Sequence, residues 1–297
     1  MIFIKRDSVE VPEILKDGSV KVQKELEKAT AHYADASNTK AYKFSVYSHA
    51  TIKQALIDMS FGKCAYCEGD ILATYVGDIE HFRPKGEIEE LKKDGNSKPG
   101  YYWLAADWNN LLFSCRNCNQ KSKQETSEND EATSMGKMNQ FPLADEQFRV
   151  RTIDGDLKKE DEVRLLIDPS VEDPEVYFKY DMNSGVIKPK AESEFKKERA
   201  DTSIKVFALQ RVPLVQRREK KALEISAQMQ AIEDFMEIVD RFYDPEIAAT
   251  HDLLDKLEVQ IERLKNFLNP KEEYLGLAKQ MIGQFMQKNF EVDINAA

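Results

Sequence analysis

The stretch of sequence that decides the fold runs from residue 64 to residue 121. In order, it contains Cys64-Ala-Tyr-Cys67, Asp78-Ile-Glu-His81-Phe-Arg-Pro-Lys85 and Cys115-Arg-Asn-Cys118-Asn-Gln-Lys121. The two Cys-x-x-Cys pairs hold all four cysteines of the chain. One such turn brings two thiolates close enough to bind a tetrahedral ion, and two turns complete a closed four-cysteine site. The sequence therefore predicts a structural Zn²⁺ on Cys64, Cys67, Cys115 and Cys118.

Two other interpretations of the cysteines are open at this point. Each pair could be a thioredoxin-like redox pair, although that motif has one pair after a strand of a βαβ unit rather than two. The zinc could also be a purely structural knob with no chemistry beside it. The carboxylate and histidine residues between the pairs decide whether a reaction takes place next to the metal.

Composition places the chain among soluble globular proteins. Its 297 residues are 41% hydrophobic and 32% charged. No apolar run is long enough to span a membrane, and the first residues lack the features of a signal peptide. We therefore expect a cytoplasmic protein without membrane contact, in a reducing compartment that favours metal binding over disulfides.

The net charge of −10 argues against binding of nucleic acid by the whole surface. It leaves room for a local basic groove, because salt screening limits the reach of each charge to about 10 Å. Between residues 196 and 221 nine residues are basic and three are acidic. A basic helix face can follow phosphates, or it can be a solvated surface that balances the acidic remainder, and both interpretations stay open.

Four regions are predicted along the chain. Residues 1–60 are mostly helical and pack on a zinc core over 61–145, which a short β-rich connector over 146–190 joins to helices over 191–297. In the last region, three amphipathic stripes separated by short turns predict an antiparallel bundle, with any leftover apolar face as a partner-docking surface. The fold class is therefore α+β.

Finer expectations concern the strands and loops. A helix that carries Ile52, Leu56 and Met59 is expected to end at Gly62. Residues 71–76 are expected to be β-like. Residues 122–140 are expected to be a mobile loop or insertion, because they contain few large apolar groups. The connector is expected to hold short β pieces at 148–153, 163–167, 176–180 and 186–187.

The run Asp78-Ile-Glu-His81 has the residue types that phosphodiester hydrolysis needs. A neutral imidazole can take a proton from water, and a hard divalent cation needs carboxylate or amide oxygens as ligands. Glu80 and His81 project to opposite faces of a strand end, and Asp78 shares the face of Glu80. Asn119 follows the second cysteine pair, so zinc would hold it near the same site. The candidate contacts to nucleic acid are Arg83, Lys85, Arg116, Lys121 and Lys123.

Each of these residues has a simpler interpretation when it is taken alone. A lone His81 is more often structural than catalytic, Asn119 alone could cap a helix, and Asn110 alone could be a turn residue. The argument for chemistry is the ordered set inside one zinc-stapled unit.

This ordered set resembles the HNH, or ββα-metal, nuclease motif. The resemblance implies that His81 is the general base, that Glu80 is a metal ligand and that Asn110 orients the loop and the base. The last position of the motif, also a metal ligand, is often histidine and is Asn119 here. The implied fold is a zinc-stapled ββα-metal core, and the implied catalytic cofactor is Mg²⁺ or Mn²⁺ held by Glu80, Asn119 and Asp78.

A second resemblance covers residues 1 to about 220. The chain is similar to PtuB-type HNH nucleases of Septu and retron-linked antiphage systems. The similarity is carried by Ile2-Phe-Ile-Lys-Arg6, Cys64-Ala-Tyr-Cys-Glu68, Ile79-Glu-His-Phe-Arg-Pro-Lys85, Trp108-x-Asn-Leu-Leu112, Phe141-Pro-Leu143, Leu166-Ile-Asp-Pro169 and Glu198-Arg-Ala-Asp-Thr-Ser-Ile204. It implies a PtuA-type ABC ATPase as the partner, in a hetero-oligomeric assembly that keeps the nuclease inactive until infection is sensed.

Three functional hypotheses follow. The first is a metal-dependent endonuclease that cuts DNA as the effector of antiphage defence. The second keeps the nuclease but makes RNA, for instance transfer RNA, the substrate, because hydrolysis by water does not require the 2′-hydroxyl. The third is a non-catalytic zinc-stapled adaptor that binds nucleic acid or a partner.

Overall fold

The structure, a computed structural model, describes residues 1–35, 37–38, 40–127, 129–190 and 193–294. The helices are α1 (Val20–Ala34), α2 (Ala50–Ser60), α3 (Arg116–Asn119), α4 (Leu157–Asp161), α5 (Glu194–Val206), α6 (Val212–Phe242), α7 (Asp252–Asn266) and α8 (Leu275–Phe290). The strands are β1 (Asp78–His81), β2 (Leu111–Ser114), β3 (Ser122–Thr126), β4 (Asn129–Met135), β5 (Phe178–Tyr180) and β6 (Ile187–Pro189). Among the described residues, these strands form three two-stranded antiparallel sheets, so the coarse expectation of an α+β protein is confirmed.

Helix α2 leads the chain into the first cysteine pair. Its buried face consists of Ile52, Leu56 and Met59 at helical spacing. The helix ends in two left-handed residues, Phe61 and Gly62, and the Gly62 amide donates to the Ile57 carbonyl at 2.8 Å. The predicted stop at Gly62 is therefore confirmed, and Cys64 follows after one intervening residue, Lys63.

Strands β1 and β2 pair in the register Asp78↔Ser114 to His81↔Leu111. All four residues of β2 are buried. Gly77, at a φ of +69°, precedes β1 where an added Cβ would lie 2.1 Å from the Phe113 ring. Only glycine allows both this backbone conformation and the close ring contact. The single turn of α3 follows β2 and completes a ββα unit.

The expectation of a mobile loop over residues 122–140 is wrong. Strands β3 and β4 form a hairpin there, and the turn is attached to the start of α6 through the Ser127 amide, which donates to the Gln210 carbonyl at 3.0 Å. Backbone pairing and this anchor hold the hairpin although its side chains are mostly exposed. A count of apolar residues does not detect that kind of stabilisation.

The predicted β character of residues 71–76 is also wrong. The chain turns there, because the Ile71 carbonyl accepts hydrogen bonds from the amides of Thr74 at 3.1 Å and Tyr75 at 2.8 Å. Ile71 is buried, whereas Leu72 and Val76 are exposed. In the part of the chain that the structure describes, no strand pairs with this segment.

The connector is less β-rich than expected. Only β5 and β6 form there, overlapping the pieces predicted at 176–180 and 186–187, whereas 148–153 and 163–167 are not strands. Residues 163–167 make isolated hydrogen bonds instead of pairing with a strand. The Ile167 amide donates to Ser203 Oγ at 3.0 Å, and the Leu165 amide donates to the Pro142 carbonyl at 3.0 Å. Short apolar runs without a neighbouring strand do not become strands.

The C-terminal helices fold back on one another as predicted. The predicted start of this region at residue 191 lies outside the described residues, and α5 begins at Glu194. Helix α7 runs antiparallel to α6, since Gln228 bonds to Gln260 at 3.0 Å and the Lys221 ammonium lies 5.3 Å from the Phe267 ring. Within the described residues, no helix is both long and apolar enough to cross a bilayer.

Helix α8 packs against α6 and runs parallel to it. Lys221 lies 3.0 Å from Glu272 just before α8, and Glu233 lies 3.5 Å from Lys288 near its end. The order up, down and up is that of a bundle with short connections.

Candidate metal centre and active-site cleft

The four cysteines converge. Their sulfur atoms lie within 4.8 Å of one another, and the Sγ atoms of Cys67 and Cys115 are 3.8 Å apart. A tetrahedral ion with metal–sulfur bonds of about 2.3 Å separates its ligands by about 3.8 Å, so the cluster could hold a metal such as zinc. Among the described residues, this is the one group of three or more cysteine, histidine or carboxylate side chains found close enough to share an ion.

Arg211 lies against this cluster. Its Nη1 is 3.5 Å from Cys118 Sγ and its Nη2 is 3.9 Å from Cys115 Sγ, and the residue is 6% exposed. Burial opposes the charge of the guanidinium, but the neighbouring sulfurs outweigh it and raise the pKa of Arg211 well above its usual value. The sequence analysis counted Arg211 only as part of a basic segment.

That basic segment is divided by the fold. Arg199 is ion-paired with Glu172 at 2.6 Å, Arg211 contacts the cysteines, and Arg218 is fully buried with its guanidinium donating to the Leu209 carbonyl at 2.8 Å. These three basic residues hold the structure together and do not belong to a phosphate-binding face.

Strand β1 forms the floor of a cleft of about 650 Å³. His81, at its end, is 5% exposed, and its Nε2 lies 2.9 Å from the Ala105 carbonyl. A carbonyl can only accept, so Nε2 carries the proton and Nδ1 carries the lone pair. Nδ1 lies 3.1 Å from the ammonium of Lys85, which also lines the cleft.

Both of these groups are shifted towards their neutral forms. Burial, and next the charge of Lys85, lower the pKa of His81 well below its usual value. Burial lowers the pKa of Lys85 to about 8. The imidazole is therefore neutral at physiological pH, with a cationic donor on the nitrogen that faces the cleft.

Asn110 lies behind this arrangement. Its Oδ1 accepts from the Arg83 amide at 2.7 Å, and its Nδ2 donates to the carbonyls of Arg83 at 3.0 Å and Leu104 at 3.1 Å. It thereby joins the turn after β1 to the segment whose Ala105 carbonyl contacts His81. Asn110 is not among the residues that line the cleft.

Asp78 and Asn119 meet at the opposite end of β1. Asp78 Oδ2 accepts from the side-chain amides of Asn119 and Gln120, both at 3.1 Å, and its Oδ1 accepts from the Tyr75 hydroxyl at 2.7 Å. Asp78, Asn119 and Gln120 all line the cleft. The sequence analysis did not identify Gln120 or Tyr75, although Gln120 directly follows a candidate ligand.

Glu80 points into the same cleft but has a partner that the sequence did not reveal. Its Oε1 lies 2.7 Å from the ammonium of Lys137, which is fully buried and also donates to the His81 carbonyl at 2.8 Å. The contact with Glu80 is an ion pair without hydrogen-bond geometry, so within the described residues Oε1 accepts no hydrogen bond. Burial raises the pKa of Glu80, and Lys137 opposes that shift.

The structure separates the five candidate nucleic-acid contacts. Lys85 lines the cleft, Arg116 and Lys123 are exposed, and Lys121 is ion-paired with Glu89. Arg83, expected to contact nucleic acid, is instead engaged inside the protein. Its guanidinium pairs with Glu160 at 2.8 Å and Asp161 at 2.6 Å. It also lies 5.2 Å from the Phe141 ring, so its charge is already compensated inside the protein.

One further group lines the cleft that the sequence analysis missed. Tyr42, Phe44 and Tyr47, here called the aromatic wall, come from the segment between α1 and α2. Tyr47 is edge-on to the His81 ring with centroids 4.6 Å apart, and Lys85 Nζ lies 4.3 Å from the Tyr47 centroid. The sequence feature that could have indicated this group is the alternation of aromatic and polar residues in Tyr42-Lys-Phe44.

Fold and site together define the class: an α+β protein with a cluster of four cysteines that could hold a metal, close to a cleft that contains a neutral histidine, carboxylates and a lysine. No protein-family model matches the sequence. The chain is 30% identical to Septu protein PtuB of Bacillus mycoides (strain KBAB4) over 301 residues, 92% of this chain and 92% of that protein. It belongs to the Septu PtuB family.

Two other similarities are more local. The chain is 39% identical to Septu protein PtuB of Bacillus thuringiensis over 79 residues, 26% of this chain and 25% of that protein. It is also 30% identical to Septu protein PtuA of Bacillus mycoides over 159 residues, 53% of this chain and 19% of that protein. A PtuA protein therefore contains a region similar to about half of this chain.

Proposed function

We propose that this protein is a metal-dependent HNH endonuclease that hydrolyses phosphodiester bonds, with DNA as the substrate, in an antiphage defence system. The observation that carries the proposal is the neutral His81, whose Nδ1 faces a cleft lined by Asp78, Glu80 and Asn119. The two strands that hold this site lie between the two cysteine pairs, and α3 contains Cys118.

The base is His81. Because its Nε2 proton is donated to the Ala105 carbonyl, Nδ1 is the nitrogen that takes the proton from water. Asn110 positions the carbonyl segment and so keeps the ring in this tautomer. Lys85 leaves Nδ1 when a phosphate enters, and its ammonium then pairs with a phosphoryl oxygen.

The oxygen-rich end of the cleft fits a hard divalent cation. Glu80, Asp78 and Asn119 line the same cleft, and carboxylate and amide oxygens are the ligands that such a cation prefers. Asp78, Glu80 and Asn119 would hold Mg²⁺ or Mn²⁺, which when bound neutralises phosphate charge and stabilises the leaving oxygen. Lys137 already neutralises part of the charge of Glu80.

The protein is further proposed to act with a PtuA-type ABC ATPase in a hetero-oligomeric assembly. Membership of the Septu PtuB family and the similarity to Septu protein PtuA support this partner. Co-expression with the PtuA-type ATPase and size-exclusion chromatography test it, and separate elution of the two chains would contradict it.

Plasmid nicking tests the nuclease. The zinc-loaded protein, alone and with the ATPase, should nick plasmid in Mg²⁺ or Mn²⁺, and His81→Ala should lower the rate by about 100-fold or more, because a general base is lost. His251→Ala is the matched control, since His251 is exposed and lies outside the cleft. Circular dichroism must show that both variants are folded.

Two outcomes would contradict the assignment. Equal nicking by His81→Ala and wild type would remove His81 from the reaction. Nucleic-acid binding that Glu80→Ala leaves unchanged, without cleavage under any metal, would instead support the zinc-stapled adaptor.

A further inference from the structure

The aromatic wall is held in place before any ligand arrives. Glu25 on α1 is buried, and its carboxylate accepts from the Ser45 amide at 2.7 Å, from Ser45 Oγ at 2.7 Å and from the Val46 amide at 3.2 Å. The Tyr42 amide donates to the Tyr33 hydroxyl at 3.2 Å. A loop fastened on both sides of Phe44 presents its rings without a large ordering cost.

Two rings of the wall form an edge-to-face pair that lines the cleft. Tyr42 and Phe44 are two residues apart, both half-buried, with centroids 4.9 Å apart and planes inclined by 69°. Both line the cleft that contains His81, and Tyr47 joins the wall to that histidine. Aromatic rings with the Lys85 ammonium beside them, 4.3 Å from the Tyr47 centroid, fit a ligand that has a flat face and a negative charge.

We infer that the aromatic wall binds an unpaired base, so that the substrate of this cleft is single-stranded nucleic acid or an unpaired loop rather than an intact duplex. Bases inside a duplex are covered on both faces by their neighbours, and a side chain stacks only on a base that has left the stack. The base lies on Tyr42 or Phe44, and the adjoining phosphate pairs with the Lys85 ammonium. The inference builds on the proposed function but concerns binding, which can be measured without cleavage.

Fluorescence anisotropy with the full-length, zinc-loaded protein and no added Mg²⁺ or Mn²⁺ provides the test. The probes are labelled strands of about 12 nucleotides, within the range that single-strand sites cover: oligothymidine, oligouridine, an abasic strand and a duplex. Wild type should bind oligothymidine or oligouridine about tenfold or more tightly than the abasic strand and the duplex. The thymidine and uridine probes distinguish DNA from RNA as the source of the base.

Phe44→Leu keeps an apolar group but removes the flat ring. We expect it to weaken binding of the base-containing strand about tenfold, to leave the abasic strand unaffected, and to be rescued by Phe44→Trp. Phe242→Ala, on a ring of α6 that is 58% exposed and outside the cleft, is the control and should change nothing. Circular dichroism and zinc content establish that each variant is folded.

The inference is overturned if wild type binds the duplex or the abasic strand as tightly as the base-containing strands. It is also overturned if Phe44→Leu weakens all probes equally. Plasmid is cut only where supercoiling opens the duplex, so the oligothymidine and oligouridine strands are also incubated with Mg²⁺ or Mn²⁺. Base-dependent binding without cleavage of these strands or of plasmid would support the aromatic wall while the nuclease proposal failed. Nicking with base-independent binding would give the opposite result.

Discussion

At the scale of single residues, the site depends on which charges are compensated. His81 has a carbonyl on one nitrogen and Lys85 on the other, and burial keeps the ring neutral. Lys137 is fully buried against Glu80, and Arg211 is buried against the cysteines. Both of these buried cations, Lys137 and Arg211, lie beside a group that is anionic or becomes so on metal binding.

Cys118→Ser and Asn119→Ala are adjacent substitutions with different expected results. Cys118→Ser should release zinc and unfold the core, because a structural zinc contributes folding free energy directly. The Asn119→Ala variant should keep its zinc and its fold, and only its affinity for the catalytic cation should fall. Metal analysis and circular dichroism measure the two effects, and equal unfolding of both variants would show that the two metal sites are not separate.

Arg211→Gln should weaken zinc binding by about 10- to 100-fold, because it removes a positive charge beside the thiolates. The measurement is zinc transfer to a coloured chelator at neutral pH. Arg217→Gln is the matched control, since Arg217 is exposed and lies further along the same helix. Zinc loss at the wild-type rate from Arg211→Gln would mean that the guanidinium only fills space.

At the scale of elements, Glu172 fastens α5 to the connector. Arg199 on α5 and Arg164 in the connector approach it at 2.6 Å and 2.8 Å. Burial alone would raise the pKa of Glu172, but hydrogen bonds from Arg199 and the charge of Arg164 outweigh burial and lower it.

Glu172→Gln should lower the free energy of unfolding by about 2 kcal/mol at neutral pH, as expected for lost hydrogen bonds to a charged group. A carboxylate whose folded pKa is lowered stabilises the protein above its unfolded pKa, and that stabilisation disappears as pH falls through the folded value. The difference between wild type and variant should therefore narrow below about pH 4.5, the unperturbed value. Urea unfolding at several pH values measures it, and a constant difference would contradict the ion-pair argument.

At the scale of the whole molecule, the cysteine centre joins the two halves of the chain. Lys63, next to the first cysteine, donates to the Glu272 carbonyl at 2.7 Å, and Glu68, just after the pair, accepts from the Gly276 amide at 2.9 Å. Arg211 connects the second pair to the start of α6. The C-terminal bundle is therefore attached to the two segments that contain the cysteine pairs.

Removal of zinc should destabilise the bundle as well as the core. In hydrogen exchange, chelation should lower amide protection at the start of α8 together with that of β2, because both depend on the loop that holds Cys64 and Cys67. Unchanged amide protection of α8 after zinc loss would show that the bundle does not depend on the cysteine centre.

The sequence analysis succeeded where the signal is local or periodic. The spacing of the cysteines, the stop at Gly62 and the amphipathic stripes of the last helices each depend on neighbours along the chain. The hairpin of β3 and β4 was missed because its stability comes from backbone pairing and from an anchor at Gln210, far away in sequence. Lys137 was missed for the same reason, since it lies just beyond that hairpin.

By itself, the sequence determined the four-cysteine cluster, the order of the residues around β1 and the C-terminal helices, because short-range spacing and periodicity encode them. Only the tertiary structure decided which cations face the cleft and which are buried in ion pairs, as Lys85 and Arg83 illustrate. It also decided that the segment with Tyr42 and Phe44 lies beside His81. The physical reason is that burial and charge compensation depend on contacts between residues distant in sequence, which residue type and spacing do not contain.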